Sequence, residues 1–297
     1  LHRADASAYR TTGASAMRTS PAAVLLACAL CLGPTSAVRL QAHQAGRVSP
    51  GGCPNPPWLQ SCTKFFIDLG SNLGVQVRKF YEPSKYPDAH FLHVYDEYFG
   101  GPSIRRQPGN KTGICVLAFE PNPRHYDRLD RIERAYQAKG WNAHFYRCAV
   151  ADYDGTATFL SNPDDGHSDW GAHIKMARQE DVFEVPVINF QNFARSLPAG
   201  SVVAFLKMDI EGAEWNLLAD MIGDSDFCLS AKFKATSIEA HEDGKGMKDS
   251  KKWHEKREFS AIQRMWRGQR CSGKNRTRLM HLEDETYLWD VDEDFAK

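Results

Sequence analysis

The residues best suited to chemistry fall in three clusters. The first is Asp68-Leu69-Gly70-Ser71-Asn72-Leu73-Gly74, an acid followed by a glycine-rich turn directly after the apolar run Phe65 to Ile67. Glycines there let the backbone approach a ligand closely, and ligands of open α/β sheets sit outside the carboxyl ends of strands. The second is Glu120-Pro121-Asn122, at the end of another apolar run; an acid so placed can accept hydrogen bonds from both hydroxyls of a ribose. The third is Lys207-Met208-Asp209-Ile210-Glu211-Gly212-Ala213-Glu214, after the apolar run from Val202. Asp209 and Glu211 are candidate proton acceptors, and His241, in Glu239-Ala240-His241-Glu242, is a third. Each has a plainer alternative: Asp209 orienting Lys207, Glu211 capping the next helix, His241 serving structure alone. Together the clusters describe a pocket for an adenosine-bearing cofactor.

The elements that position these residues follow from hydrophobic periodicity. Strands are expected at Lys64 to Leu69, Ile114 to Glu120, Ala143 to Val150, Thr156 to Leu160, Phe183 to Ile188, Val202 to Met208 and Ala235 to Ala240. Between them helical spacing appears at Val75 to Tyr81, from Asn122-Pro123 to Gly140 with Tyr126, Leu129, Ile132, Ala135 and Tyr136 on one face, at Trp215, Leu218, Met221 and Ile222, and at Trp253 to Trp266. Leu279 to Leu282 and Thr286 to Trp289 predict a closing hairpin with an antiparallel strand. Strands separated by helices imply an α/β fold: a Rossmann-like, doubly wound, mostly parallel sheet.

Residues 82–113 interrupt this economy with a long connection rich in Pro, Gly and aromatics. It reads either as a cap over an acceptor site or as a surface insertion.

The 297 residues are 42% hydrophobic and 25% charged, as expected of a globular chain, and the formal net charge of zero gives no reason to expect a nucleic-acid partner. Residues 1–37 read as a leader: Met17-Arg18 opens a signal-peptide pattern, with the apolar run Ala22 to Leu32 and small residues up to Ala37. That run is shorter than the roughly 20 residues of a membrane span, so no stable span is expected after cleavage. An uncleaved anchor and organelle targeting are the alternatives. Residues 38–60 read as a linker and 61–297 as one domain, placed in the secretory lumen or outside the cell.

Asn110-Lys111-Thr112 and Asn275-Arg276-Thr277 fit the N-glycosylation pattern and agree with that route. Of eight Cys, Cys28 and Cys31 lie in the leader. Cys53 and Cys62 are the expected local disulfide, with Cys115 and Cys148 as buried hydrophobes. No spacing matches a zinc site, and no metal is expected.

Four motifs in order, Phe66 to Gly74, Ala118 to Pro123, Ala149-Val150-Ala151-Asp152 with Gly155, and Leu206 to Glu214, resemble the FkbM family of S-adenosylmethionine-dependent methyltransferases. The resemblance implies a class I methyltransferase fold with S-adenosyl-L-methionine as cofactor. Asp68, Gly70, Ser71, Asn72 and Gly74 would lie along its methionine and ribose, with Asp209 beside them. Glu120 would hold the ribose, Pro121 and Asn122 would also touch the cofactor, and Val150, Ala151 and Asp152 would approach the adenine. The expected reaction is O-methylation of a sugar or small metabolite. A dinucleotide-dependent oxidoreductase and a non-catalytic glycan-binding module on the same fold are the alternatives. Where the family tends to place Leu-Asp, this chain has Ile188-Asn189.

Overall fold

The computed structural model describes residues 53–160, 173–174, 182–210, 212–223, 232–239, 277–280 and 293–296. All fall within the unit Ala45–Lys297. In chain order the strands are β1 (Lys64–Leu69), β2 (Ile114–Phe119), β3 (Asn142–Tyr146), β4 (Ala149–Ala151), β5 (Gly155–Leu160), β6 (His173–Ile174), β7 (Val182–Asn189), β8 (Val202–Met208), β9 (Ala235–Ile238) and β10 (Arg278–Met280). The helices are α1 (Val75–Tyr81), α2 (Leu92–Phe99), α3 (Pro102–Arg105), α4 (Gly109–Thr112), α5 (Tyr126–Ala138), α6 (Phe190–Ser196) and α7 (Glu214–Gly223).

One sheet has the order β10-β9-β8-β1-β2-β3, with every neighbouring pair parallel. The chain winds outward from β1 to β3 and returns to β8 on the other side of β1. That reversal opens a crevice at the carboxyl ends of β1 and β8, where α/β sheets bind ligands. Strand β10 runs parallel to β9; the second strand of the expected closing hairpin, Thr286 to Trp289, lies outside the described residues, as does the helix expected at Trp253 to Trp266.

A second sheet has the order β4-β7-β5-β6, with β4 parallel to β7 and β5 antiparallel to both β7 and β6. The single strand expected from Ala143 to Val150 is thus two strands in different sheets, broken at Arg147-Cys148.

The central strands are buried on both faces, which is why they read as continuous apolar runs. Phe65, Ile67 and Leu69 face α6 and α7 through Phe193, Leu217, Leu218 and Met221, while Phe66 faces α1, α2 and α5 with Val116, Ala118 and Phe205.

Two sequence expectations fail for the same reason, that packing across the sheet outranks nearness in sequence. Among the described residues the disulfides are Cys53–Cys148 and Cys62–Cys115, with Cα separations of 6.6 and 5.9 Å, in place of Cys53 with Cys62. Both N-terminal cysteines cross one face of the sheet and meet partners whose side chains point to that face. The connection 82–113 likewise does not stand over the crevice with its aromatics. Phe91, Tyr95 and Phe99 are buried against Phe66, Phe80 and Phe205 on the opposite face, and Arg105, buried, donates to the carbonyl of Phe80 at 2.9 Å. Its first part, with Tyr86, Ala89 and Leu92, packs near the glycine turn, against Val75 and Leu73.

Among the described residues no helix is long and apolar enough to cross a membrane.

Candidate active site

The glycine turn is built against β2 and β8. The amides of Gly70 and Ser71 both donate to the carbonyl of Phe119, at 3.1 and 2.9 Å, folding the turn over the end of β2. Gly70 has φ +75°, and a Cβ there would lie 1.7 Å from the carbonyl oxygen of Asp209. Gly74, at φ +78°, leads into α1 from a left-handed backbone, beneath Leu129 and Ile132. The backbone favours glycine at both places, and at Gly70 the Asp209 carbonyl excludes any side chain.

Lys207 ties the turn to the third cluster. Its Nζ donates to the carbonyl of Gly70 at 3.0 Å and to Asp209 Oδ2 at 2.8 Å, and lies 3.8 Å from Asp68 Oδ1. The amide of Asp209 donates to the carbonyl of Leu69 at 3.1 Å. Asp68 is fully buried, and among the described residues the Lys207 ammonium is the cation nearest its carboxyl oxygens; burial pushes its pKa up to about 6 against the pull of Lys207.

Glu120 stands at the end of β2. The amide of Asn72 donates to its Oε2 at 2.6 Å and that of Asn122 to its Oε1 at 2.8 Å. Burial raises Glu120 to about 7, with these two N–H donors opposing the shift. Asn122 also accepts from the amide of Arg124 at 3.0 Å, capping the turn into α5, and Pro121 accepts from the Tyr126 hydroxyl at 2.8 Å.

The third cluster is held by a residue outside the candidate set. Glu214, fully buried, accepts from the amides of Ile210 at 2.7 Å and Gly212 at 2.8 Å, bracketing the position of Glu211. Glu211 and His241 themselves lie outside the described residues. Val150 and Ala151 are buried in β4, and Asp152 opens the exposed turn after it.

The crevice therefore gathers Asp68, Gly70, Ser71, Asn72, Gly74, Glu120, Asn122 and Asp209. Lys207 was visible in sequence as a cation inside an apolar strand, but only the register opposite Asp68 shows what it does.

A cofactor with a vicinal diol fits these residues. Each oxygen of Glu120 accepts one N–H and retains capacity for a hydroxyl, and the side-chain oxygens of Ser71 and Asn72 are buried without hydrogen-bond partners among the described residues. Among the described residues no group of His, Cys, Asp and Glu is placed to hold a metal ion.

The Methyltransferase FkbM domain matches residues 100–265, more than half of the chain. The chain belongs to the FkbM methyltransferase family. The matched stretch of this FkbM domain takes in Glu120, the turn after β4 and the whole third cluster, while the glycine turn precedes it. Among solved structures, the methyltransferase FkbM from Methylobacillus flagellatus KT is similar at 15% identity over 55% of this chain, with a TM-score of 0.30. The chain spans 30% of that protein's length. No curated protein matches it.

Proposed function

We propose that this FkbM domain transfers a methyl group from S-adenosyl-L-methionine to a hydroxyl of a sugar or other small metabolite. The observation that carries the reading is Glu120: a buried carboxylate at the carboxyl end of β2, fixed by the amides of Asn72 and Asn122, each of whose oxygens accepts one of these N–H groups and has capacity for a second donor. Such a group suits the two hydroxyls of a ribose.

When bound, the sulfonium cofactor supplies an activated methyl group. The chain's part is to hold and orient, an effect worth roughly 7–11 kcal/mol where alignment is good. Glu120 and Asn122 hold the ribose, the turn from Gly70 to Gly74 presents backbone to the methionine part, and the turn after β4 meets the adenine. Lys207 keeps the glycine turn and Asp209 in register. A hydroxyl acceptor must lose a proton, and Asp209, Glu211 and His241 are the groups assigned to receive it.

The secretory lumen or the exterior is the proposed location. The leader pattern and two disulfides support it, since such bonds persist in oxidising compartments.

The test is to incubate the oxidised protein with methyl-labelled S-adenosylmethionine and monosaccharide, glycan and small-metabolite acceptors, following label into product. Calorimetric binding of S-adenosylhomocysteine against NAD separates the reading from a dinucleotide enzyme. Label in a hydroxyl-bearing acceptor supports it; no label and no binding of S-adenosylhomocysteine overturns it.

A further inference from the structure

Strands β4 and β5 flank β7 on its two sides, so the connection between them must cross the carboxyl end of β7. The residue beneath that crossing is Asn189. Its side-chain Nδ2 donates to the carbonyl of Asp152 at 2.6 Å, and its backbone amide donates to Asp154 Oδ1 at 2.8 Å. The same side chain's Oδ1 accepts from the amide of Asn192 at 2.9 Å, capping α6. One amide side chain thus fixes both the end of β7 and the peptide that leaves Val150 and Ala151.

An aspartate could make the cap, because carboxylates cap helices well. It could not donate to the Asp152 carbonyl, and it would bring a negative charge against that oxygen and the Asp154 carboxylate.

We propose that Asn189 is a positioning residue for base recognition, setting the orientation of the Val150 to Asp152 turn through its bond to the Asp152 carbonyl. The proposal rests on the cofactor reading above, in which that turn meets the adenine. Asn189 touches no reacting atom; its effect falls on which base the turn accepts.

The test uses the full chain and two probes that differ only at the base edge, S-adenosylhomocysteine and S-inosylhomocysteine. The wild type is expected to prefer the adenine compound. Asn189→Asp is expected to weaken S-adenosylhomocysteine about 5- to 20-fold while changing S-inosylhomocysteine less than about 2-fold, a shift in discrimination that loss of a merely structural bond would not produce. Asn189→Ser, which keeps a capping hydroxyl but cannot reach Asp152, is the second variant and should lose the same discrimination. A folded variant of either kind that keeps the wild-type ratio of affinities overturns the proposal, as does a wild type with no preference for adenine. In both cases binding of S-adenosylhomocysteine by the wild type leaves the cofactor reading standing. A wild type that binds neither compound overturns both.

Discussion

The amide of Asn72 donates to Glu120 Oε2 at 2.6 Å, so the turn after β1 and the acid after β2, 48 residues apart in sequence, are held as one piece. Asn72 reaches it from a left-handed backbone, φ +49°, which Asn tolerates better than most residues. The position of the Glu120 carboxylate is therefore set by the protein's own backbone.

Glu120→Gln tests that unit. A glutamine keeps one acceptor oxygen and turns an NH2 group toward one of the two amides, so a buried donor is left unpaired at a cost of about 1–3 kcal/mol. S-adenosylhomocysteine should bind about 10- to 100-fold more weakly by calorimetry.

The pH dependence has a defined sign. Glu120 rises from an ordinary 4.5 to about 7 and Asp68 from 3.8 to about 6, both through burial. Over roughly pH 4 to 7 the folded protein therefore holds protons that the unfolded chain has released, and these two groups subtract stability as pH rises. Denaturation midpoints measured from pH 5 to 8 should fall with pH in the wild type and fall less steeply in Glu120→Gln. Ligand affinity should run the opposite way, rising through about pH 7 as Glu120 ionises and becomes an acceptor for two hydroxyls.

Gly70→Ala combines two penalties that a second glycine separates. Its Cβ would meet the Asp209 carbonyl at 1.7 Å, in a backbone at φ +75°. Gly200 shares the backbone, φ +77°, with no atom in the way. Gly200→Ala should cost about 1–2 kcal/mol in urea denaturation, the price of handedness alone. Gly70→Ala should cost at least about 2–5 kcal/mol, because overpacking adds to it.

The disulfide pairing is checked by mass spectrometry of peptides from unreduced protein, which should link Cys53 to Cys148 and Cys62 to Cys115. The sequence separations are 95 and 53 residues. In the chain-entropy picture removing either bond, as Cys148→Ser or Cys115→Ser, should cost about 2–5 kcal/mol.

What could be read from sequence was whatever depends on local pattern. The strand at Lys64 to Leu69, the helix at Val75 to Tyr81 and the cap at Asn122 come from apolar runs, spacing and a single preferred residue, and they stand where expected. The glycine turn could be read because its backbone demand is local. What could not be read depends on register. Lys207 meets Gly70 and Asp68 only because β8 lies beside β1, and Glu214 looks like one more acid at a helix start until its two amide partners are known. Helix α1 makes the point from within the core. Arg78 and Lys79 are both buried, Arg78 bonding Glu82 at 3.2 Å while the Tyr136 hydroxyl donates to the same oxygen at 2.5 Å, an arrangement that helical spacing alone does not reveal. The aromatics of residues 82–113 signal order, but not which side of the sheet they cover.

The disulfides are nested: the loop from Cys62 to Cys115 lies inside the loop from Cys53 to Cys148. During synthesis from the N-terminus, Cys53 and Cys62 emerge together, well before either native partner. The closeness that makes them the obvious pair in sequence also presents them to an oxidant before Cys115 and Cys148. Correct maturation then requires that any bond between them be exchanged once Cys115 and later Cys148 arrive, so the yield of this protein in an oxidising host should depend on disulfide isomerase more than on oxidant.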